Sequence, residues 1–522
     1  MTKDKVTAAE MLDNLQFRRQ FLLGPTPFAP TPHWSCRPLR HGLVLSAHPE
    51  LQVTAESIQD TTVVFLGFAV DPLNPARTEP DIVRSLAKDA SDLRKLISLT
   101  KPLAGRWAII YQNQEGTCLF TDPCGNRTAF YYSDGHHLWC GSQPEIIKAN
   151  CKLSWNTDGK LLEFLMNPAL GRRESRWVGA QTLYRDCLHL MPNHYLDFGR
   201  LEQVRFYPSD PIPASGLSAA VDSGKVILEG IFAGFARRHD ILMPLTAGWD
   251  SRVLLAASRS VSSRIRYFVD RMGALPEDHP DVRVPSLLSS RLGVDFQVRN
   301  SSYDLPGWFS SLLSANVTGA KMLPKTRMIW ADFVSGEDRL HIDGQAGEIP
   351  RERVEFRTRP DANSVSTADI ARFYHMEESA FAAQEIDAWR QGLPRLDDRL
   401  NLLVLFDWEQ RYGNWVAQHF EESGIAFDEF SPYNCRLWIE TMLAAPRPVR
   451  ALPDFPLYRS LIQSMWPEAL SVAINPPMRH RVATISIRAI RERIRAYIPS
   501  PLAKLVRNRA SRSSTARRRR TT

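Results

Sequence analysis

The sequence predicts a mixed α/β and α+β chain, with an antiparallel strand-rich region first and a parallel βαβ region after it. Three observations carry this. The chain has 522 residues, and a single core rarely grows beyond about 250–300, so more than one domain is expected. From about residue 60 to residue 198, short apolar runs alternate with turn residues, as in a strand meander. After about residue 205, helical and strand patterns alternate, the texture of parallel βαβ units.

Taken in order, a helix at 8–15 and a strand at 21–23 open the chain, and residues 1–60 otherwise resist assignment. TTVVFLGFAVDP (61–72) is β-branched and apolar and reads as a buried strand ended by Asp-Pro. RWAIIYQ (106–112), TCLFTDP (117–123) and FYYSDGHHLWCGS (130–142) are successive strands with turns at 113–116, 123–126 and 134–135. DGKLLEFLMNPAL (158–170) is helical, and TLYRDCLHLMPNHYLDF (182–198) returns to strands. The second region begins with a helix at 218–240 and the strand ILMPL (241–245). The turn TAGWDS (246–251), the helix RVLLAASRS (252–260) and the strand RIRYFVD (264–270) follow. VRVPSLLSSRLGVDFQV (282–298) reads as helix, Gly turn and strand, and LHIDG (340–344) as a strand ending in Gly. Residues 366–505 are largely helical, and 300–340 carry no clear pattern.

Composition narrows the class. A hydrophobic fraction of 43% and a charged fraction of 23% are ordinary for a soluble globular protein. No apolar run approaches the roughly 20 residues of a membrane span, and the polar start is no signal peptide. Seven Cys without metal-ligand spacing read as reduced thiols in a cytoplasmic protein. The net charge of +8 is concentrated at 506–522, which hold seven Arg and no acid. The nearly neutral body therefore does not point to nucleic acid. SIRAIRERIRAY (486–497) places Ile487, Ile490, Ile494 and Tyr497 on one side. It reads as a helix docked on the core before a disordered tail, with contact to an anionic membrane surface as the alternative.

The strongest local signal is PLTAGWDSRVLLAAS (244–258). A strand ending at Leu245 runs into a small-residue loop that opens a helix. Loop N–H groups and the helix dipole make an anion site. Ala247 and Gly248 permit close approach of an oligophosphate, and Thr246 and Ser251 add hydroxyl donors. Asp250 suits a Mg²⁺ ion beside phosphates. The same stretch also fits an ordinary strand–turn–helix with an N-cap Asp or Ser. It is not a Walker A loop, because no Gly-Lys-Ser/Thr follows.

Thr246-Ala247-Gly248-Trp249-Asp250-Ser251 resembles the Ser-Gly-Gly-X-Asp-Ser PP-loop of the asparagine-synthetase family, with Thr for Ser and Ala for the first Gly. PEDHPDVRVPSLLSSRLGVDF (276–296) resembles the segment in which an Asp, here Asp281, leads a helix ending in Leu-Gly. The resemblance implies that Phe268 and Val269 flank the adenine. IDGQAGEIPR (342–351) resembles the Ser-Gly-Asp/Glu-Gly-x-Asp-Glu loop, one residue shorter, with Gly344 and Gly347 at the turn and Glu348 sharing Mg²⁺ with Asp250. Residues 408–440 resemble a helical segment ending in Pro-Phe-Leu-Asp, here Pro432-Tyr433-Asn434-Cys435. Glu409 and Arg411 on its helix then face the acyl site, or else form a solvated face. Residues 103–132 and 182–196 resemble the family's glutaminase domain.

The resemblance implies an Ntn-hydrolase-like antiparallel β-sandwich flanked by helices over 1–205. A PP-loop parallel sheet with helices would span 206–505, ahead of a basic tail at 506–522. It implies an ATP-dependent ligase that activates a carboxylate as acyl-AMP and passes it to an amine or ammonia. ATP would meet Leu245, Thr246, Ala247, Gly248, Asp250, Ser251, Val269 and Gly344, and Glu348, Glu409 and Arg479 would serve catalysis. Partners would be a small-molecule carboxylate and an amine, and a homodimer is compatible. Two departures qualify this. The family's glutaminase needs a Cys directly after the initiator Met, whereas this chain has Thr2, and its first Cys is Cys36. Glutaminase activity is therefore not expected. The family's late-loop Lys is also missing from INPPMRHRVAT (474–484), where Arg479 would supply the charge. The alternative is a catalytically degenerate nucleotide-binding scaffold in a biosynthetic complex.

Overall fold

A computed structural model describes residues 8–167, 177–302, 304–318, 325–351, 364–451 and 453–477. Within them, twelve strands precede residue 206: β1 (Phe21–Gly24), β2 (Ser35–Pro38), β3 (Val44–Ala47), β4 (Val53–Ile58), β5 (Thr61–Val70), β6 (Ala104–Gln112), β7 (Thr117–Thr121), β8 (Phe130–Ser133), β9 (Leu138–Gly141), β10 (Cys187–His189), β11 (His194–Asp197) and β12 (Glu202–Arg205). They form two six-stranded antiparallel sheets, in the orders β10-β8-β9-β1-β3-β2 and β12-β11-β7-β6-β5-β4.

Period-two alternation explains the layering. On β5 and β6, Val64, Leu66, Ala108 and Ile110 pack against Phe21, Leu23 and Leu45 of the facing sheet. Their neighbours Val63, Phe65, Trp107 and Ile109 point outward to the helices Glu79–Asp89 and Leu93–Leu99. On the other sheet, Leu22 and Phe130 pack with Ile146 and Ile147 of the helix Pro144–Asn150. The result is helix, sheet, sheet, helix. Asp122 fixes the 123–126 turn: its carboxylate accepts N–H bonds from Trp107, Asn126 and Arg127 at 3.2, 2.9 and 2.8 Å.

The second region centres on a five-stranded parallel sheet: β13 (Ile241–Pro244), β14 (Ile265–Asp270), β15 (Phe296–Arg299), β16 (Leu340–Ile342) and β17 (Glu429–Phe430), ordered β15-β14-β13-β16-β17. The helix Pro280–Leu292 ends at Gly293 in the left-handed conformation (φ 67°), as a Gly C-cap should. The two regions share one core. Phe68, Val70, Ala104 and Leu161 join Ile227, Phe232, Met243, Leu245 and Trp438 in a single apolar cluster. The helix Leu217–Ala236 approaches the strand-rich region so closely that a Cβ at Gly230 would lie 2.1 Å from the Pro72 carbonyl oxygen. No described helix is long and apolar enough to cross a membrane.

Candidate functional site

Chain order runs from β13 outward through β14 to β15 on one side, while β16 and β17 lie on the other. The chain thus changes direction between β13 and β16, and by the general rule for open α/β sheets a ligand crevice is expected at the carboxyl ends of these two strands.

The loop after β13 is held in place before any ligand arrives. Leu245 N–H donates to Phe268 O at 2.8 Å. Thr246 N–H donates to Ser251 Oγ at 3.2 Å, the two hydroxyls lie 3.0 Å apart, and Gly248 N–H donates to Thr246 Oγ1 at 3.2 Å. Ala247 N–H donates to Asp281 Oδ1 at 2.9 Å, and Ala247 O accepts from Asn475 N–H at 2.9 Å. A carboxylate thus already answers one loop amide, at the positive end of the helix Trp249–Ala257. An incoming phosphate must displace Asp281 to use that amide.

Asp250 and Glu348, far apart in sequence, meet at one guanidinium. Arg351 Nη2 lies 2.7 Å from Asp250 Oδ2 and 3.2 Å from Glu348 Oε1. Arg411 Nη1 donates to the other Glu348 oxygen at 2.8 Å, and Tyr412 Oη donates to it at 3.3 Å. Tyr433 Oη donates to the Asp250 carbonyl at 2.8 Å, and Tyr458 Oη donates to the Gly347 carbonyl. Gly344 and Gly347 form a wall against Asp250: a Cβ at Gly344 would sit 3.5 Å from Asp250 Cβ, and one at Gly347 would sit 2.6 Å from Asp250 Oδ1. Burial pushes the Asp250 carboxyl up from its ordinary value; Arg351 draws it back only in part, and the Glu348 charge adds to the rise.

Asp250 Oδ1 is buried and accepts no hydrogen bond among the described residues. That orphaned oxygen offers one ligand to a hard cation whose remaining ligands would be phosphate and water, since both Glu348 oxygens are already engaged by Arg351, Arg411 and Tyr412. A group of three or more metal-binding side chains does not occur among the described residues.

Of the other predicted residues, Val269 is buried at the end of β14 and pairs with Val298, one step past Phe268, which pairs with Pro244. Glu409 is fully buried, paired with Arg205 at 2.6 and 2.9 Å, and accepts bonds from Asn193 Nδ2 at 2.8 Å and Trp389 Nε1 at 2.7 Å, so it faces neither solvent nor Glu348. Residues two apart on a helix point to nearly opposite sides, so Arg411 reaches Glu348 while Glu409 turns inward. Burial raises the Glu409 carboxyl, but the Arg205 guanidinium outweighs it and holds the group below its ordinary value. Thr2 and Arg479, and the predicted 486–497 helix and basic tail, lie outside the described residues.

Sequence reasoning gave no role to Arg351, Tyr458 or Asn475. Arg351 stood three residues after Glu348, the spacing of a helical ion pair, and that spacing was the available signal. Tyr458 and Asn475 enter from distant segments and gave none.

No family model and no curated protein matches the sequence. Among solved structures, the chain is similar to glutamine phosphoribosylpyrophosphate (PRPP) amidotransferase from B. subtilis, complexed with ADP and GMP. The identity is 10% and the TM-score 0.22, over 66% of this chain and 73% of that one. At that score the likeness carries no functional argument, and the function must be read from the crevice itself.

Proposed function

We propose that the chain is an ATP-dependent, AMP-forming amide ligase of asparagine-synthetase type, with its nucleotide in the crevice between the loops after β13 and β16. The observation that carries this reading is the meeting of Asp250 and Glu348 at Arg351 beside the 245–251 loop. An oxygen of the substrate carboxylate would attack the α-phosphorus of ATP, and the bond to pyrophosphate would break. An amine lone pair would then attack the acyl carbon, AMP would leave, and the nitrogen would lose a proton. Asp250 would offer its unpaired Oδ1 to magnesium, whose chemistry is to neutralise phosphate charge, while Glu348 stays engaged by Arg351 and Arg411 beside it. Arg351 and Arg411 bring fixed positive charge to the same place, where charge builds in the transition state. In this reading residues 206–505 form the ligase and 1–205 a supporting domain without glutaminase activity. Ammonia or an amine on the substrate would be the nitrogen source.

A second reading is a nucleotide-binding scaffold without turnover, favoured by the loop's departures from the family pattern at Thr246 and Ala247 and by the absence of Lys from residues 474–484. Exchange of labelled pyrophosphate into ATP, with a panel of carboxylic acids, separates the two. Exchange with any acid that disappears in Asp250→Ala supports the ligase. ATP binding without exchange supports the scaffold, and absence of ATP binding removes both.

A further inference from the structure

The gap between Asp250 and Glu348 contains a cation that belongs to the chain. Arg351 is held there on two sides by carboxylates, at 2.7 and 3.2 Å. On its faces lie the Phe455 ring at 5.1 Å and the Tyr458 ring at 5.7 Å. Its side chain is only 12% exposed, and its buried Nε makes no hydrogen bond among the described residues. A guanidinium packed in this way has already lost much of its rotamer freedom, and it has five N–H donors to distribute. It can therefore bridge a carboxylate and a phosphate oxygen at once, which a bare Asp250–Glu348 pair could not approach without repulsion. A divalent ion placed between the same two carboxylates would meet that positive charge.

Resting on the nucleotide reading above, we infer that Arg351 is the resident cation of the phosphate crevice, so that the site binds the polyphosphate anion without a metal. Magnesium then joins at the orphaned Asp250 oxygen after the anion is seated, and it matters more for turnover than for binding.

The test is calorimetric titration of the full chain with ATP, and with inorganic pyrophosphate as a probe of the phosphate arm alone, in EDTA and in excess Mg²⁺. Wild-type affinity for ATP should change by less than about threefold between the two buffers, a difference below the worth of one charge-assisted hydrogen bond. Arg351→Met should weaken ATP binding in EDTA by about tenfold or more and regain it in Mg²⁺. Asp250→Asn, which releases Arg351 from one carboxylate, should strengthen pyrophosphate binding in EDTA; it serves as the second variant if Arg351→Met fails to fold. Wild-type binding that requires Mg²⁺ overturns this inference alone, as does Arg351→Met binding in EDTA as tightly as wild type. Wild-type protein that binds ATP in neither buffer overturns the nucleotide reading as well.

Discussion

Changing Glu409 to glutamine distinguishes a structural carboxylate from a catalytic one. Both Glu409 oxygens accept from two donors: Oε1 from Arg205 and Asn193, Oε2 from Arg205 and Trp389. Glutamine keeps the shape, but its amide nitrogen must face one of those donor pairs, and the charge that offsets Arg205 is lost. Breaking a buried ion pair from one side costs about 3–5 kcal/mol. Arg205 is 14% exposed and can recover some hydration, which places the cost at the low end, about 3 kcal/mol, or about two decades in the folding equilibrium. The assay is urea unfolding followed by tryptophan fluorescence, with the transition midpoint as the readout because a chain of this size need not unfold in two states. The effect also has a pH signature. The folded Glu409 group titrates below its ordinary value, so its contribution is present above the ordinary carboxylate range and is lost as pH falls through the folded value. Wild type and Glu409→Gln should therefore differ most at neutral pH and converge on acidification. An unchanged midpoint at neutral pH, together with lost pyrophosphate exchange, would refute this reasoning and return Glu409 to the chemistry.

Two further substitutions separate the crevice from the shared core. Gly347→Ala places a methyl group 2.6 Å from Asp250 Oδ1 and 2.8 Å from the Tyr433 ring; it should cost about 1–3 kcal/mol and weaken ATP binding measured by titration. Gly230→Ala meets the Pro72 carbonyl oxygen at 2.1 Å; it should lower the urea midpoint while the folded fraction keeps wild-type ATP affinity.

What the sequence revealed follows from where pattern and burial coincide. Strands β5 to β9 and β13 to β15 fall on the runs read as strands, because apolar residues bounded by turn residues mark them. Strands β2 and β4 were illegible for a physical reason: β2 is exposed at all four residues and β4 is mostly half-buried, so neither shows alternation. β17 has only two residues inside a helical stretch and exists through pairing with β16. The helices Gly307–Asn316 and Lys325–Ser335 also escaped. They bury only a few apolar residues, among them Phe309, Leu313 and Ile329, against Ile425 and Phe427. The 245–251 loop was visible because its chemistry is local. The cation between Asp250 and Glu348 was not, because Asp250 reaches the local Glu348–Arg351 pair only through the pairing of β13 with β16.

The segment that supplies Arg411 shows what the N-terminal region contributes to the crevice. Asp407–Val416 winds as a wide π-type helix, a form that costs regular hydrogen bonding and persists where tertiary contacts hold it. Those contacts come from the strand-rich half. Trp408 Nε1–H donates to Pro123 O at 2.7 Å, Gly179 N–H donates to Gln410 Oε1 at 2.7 Å, and Asn414 Oδ1 lies 2.9 Å from His189 Nδ1. Glu409 is held by Arg205 and Asn193. A second buried tie, Arg106 to Glu421 at 2.6 Å, anchors the helix Ala417–Ser423 that follows. With Trp408, Glu409, Gln410 and Asn414 tied to residues before 206, Arg411 and Tyr412 are left to meet Glu348. Cutting the chain near residue 206 would strip partners from each tied residue and leave the Glu421 charge buried without Arg106, a loss on the scale of several kcal/mol. The N-terminal region therefore helps to fix the position from which Arg411 meets Glu348.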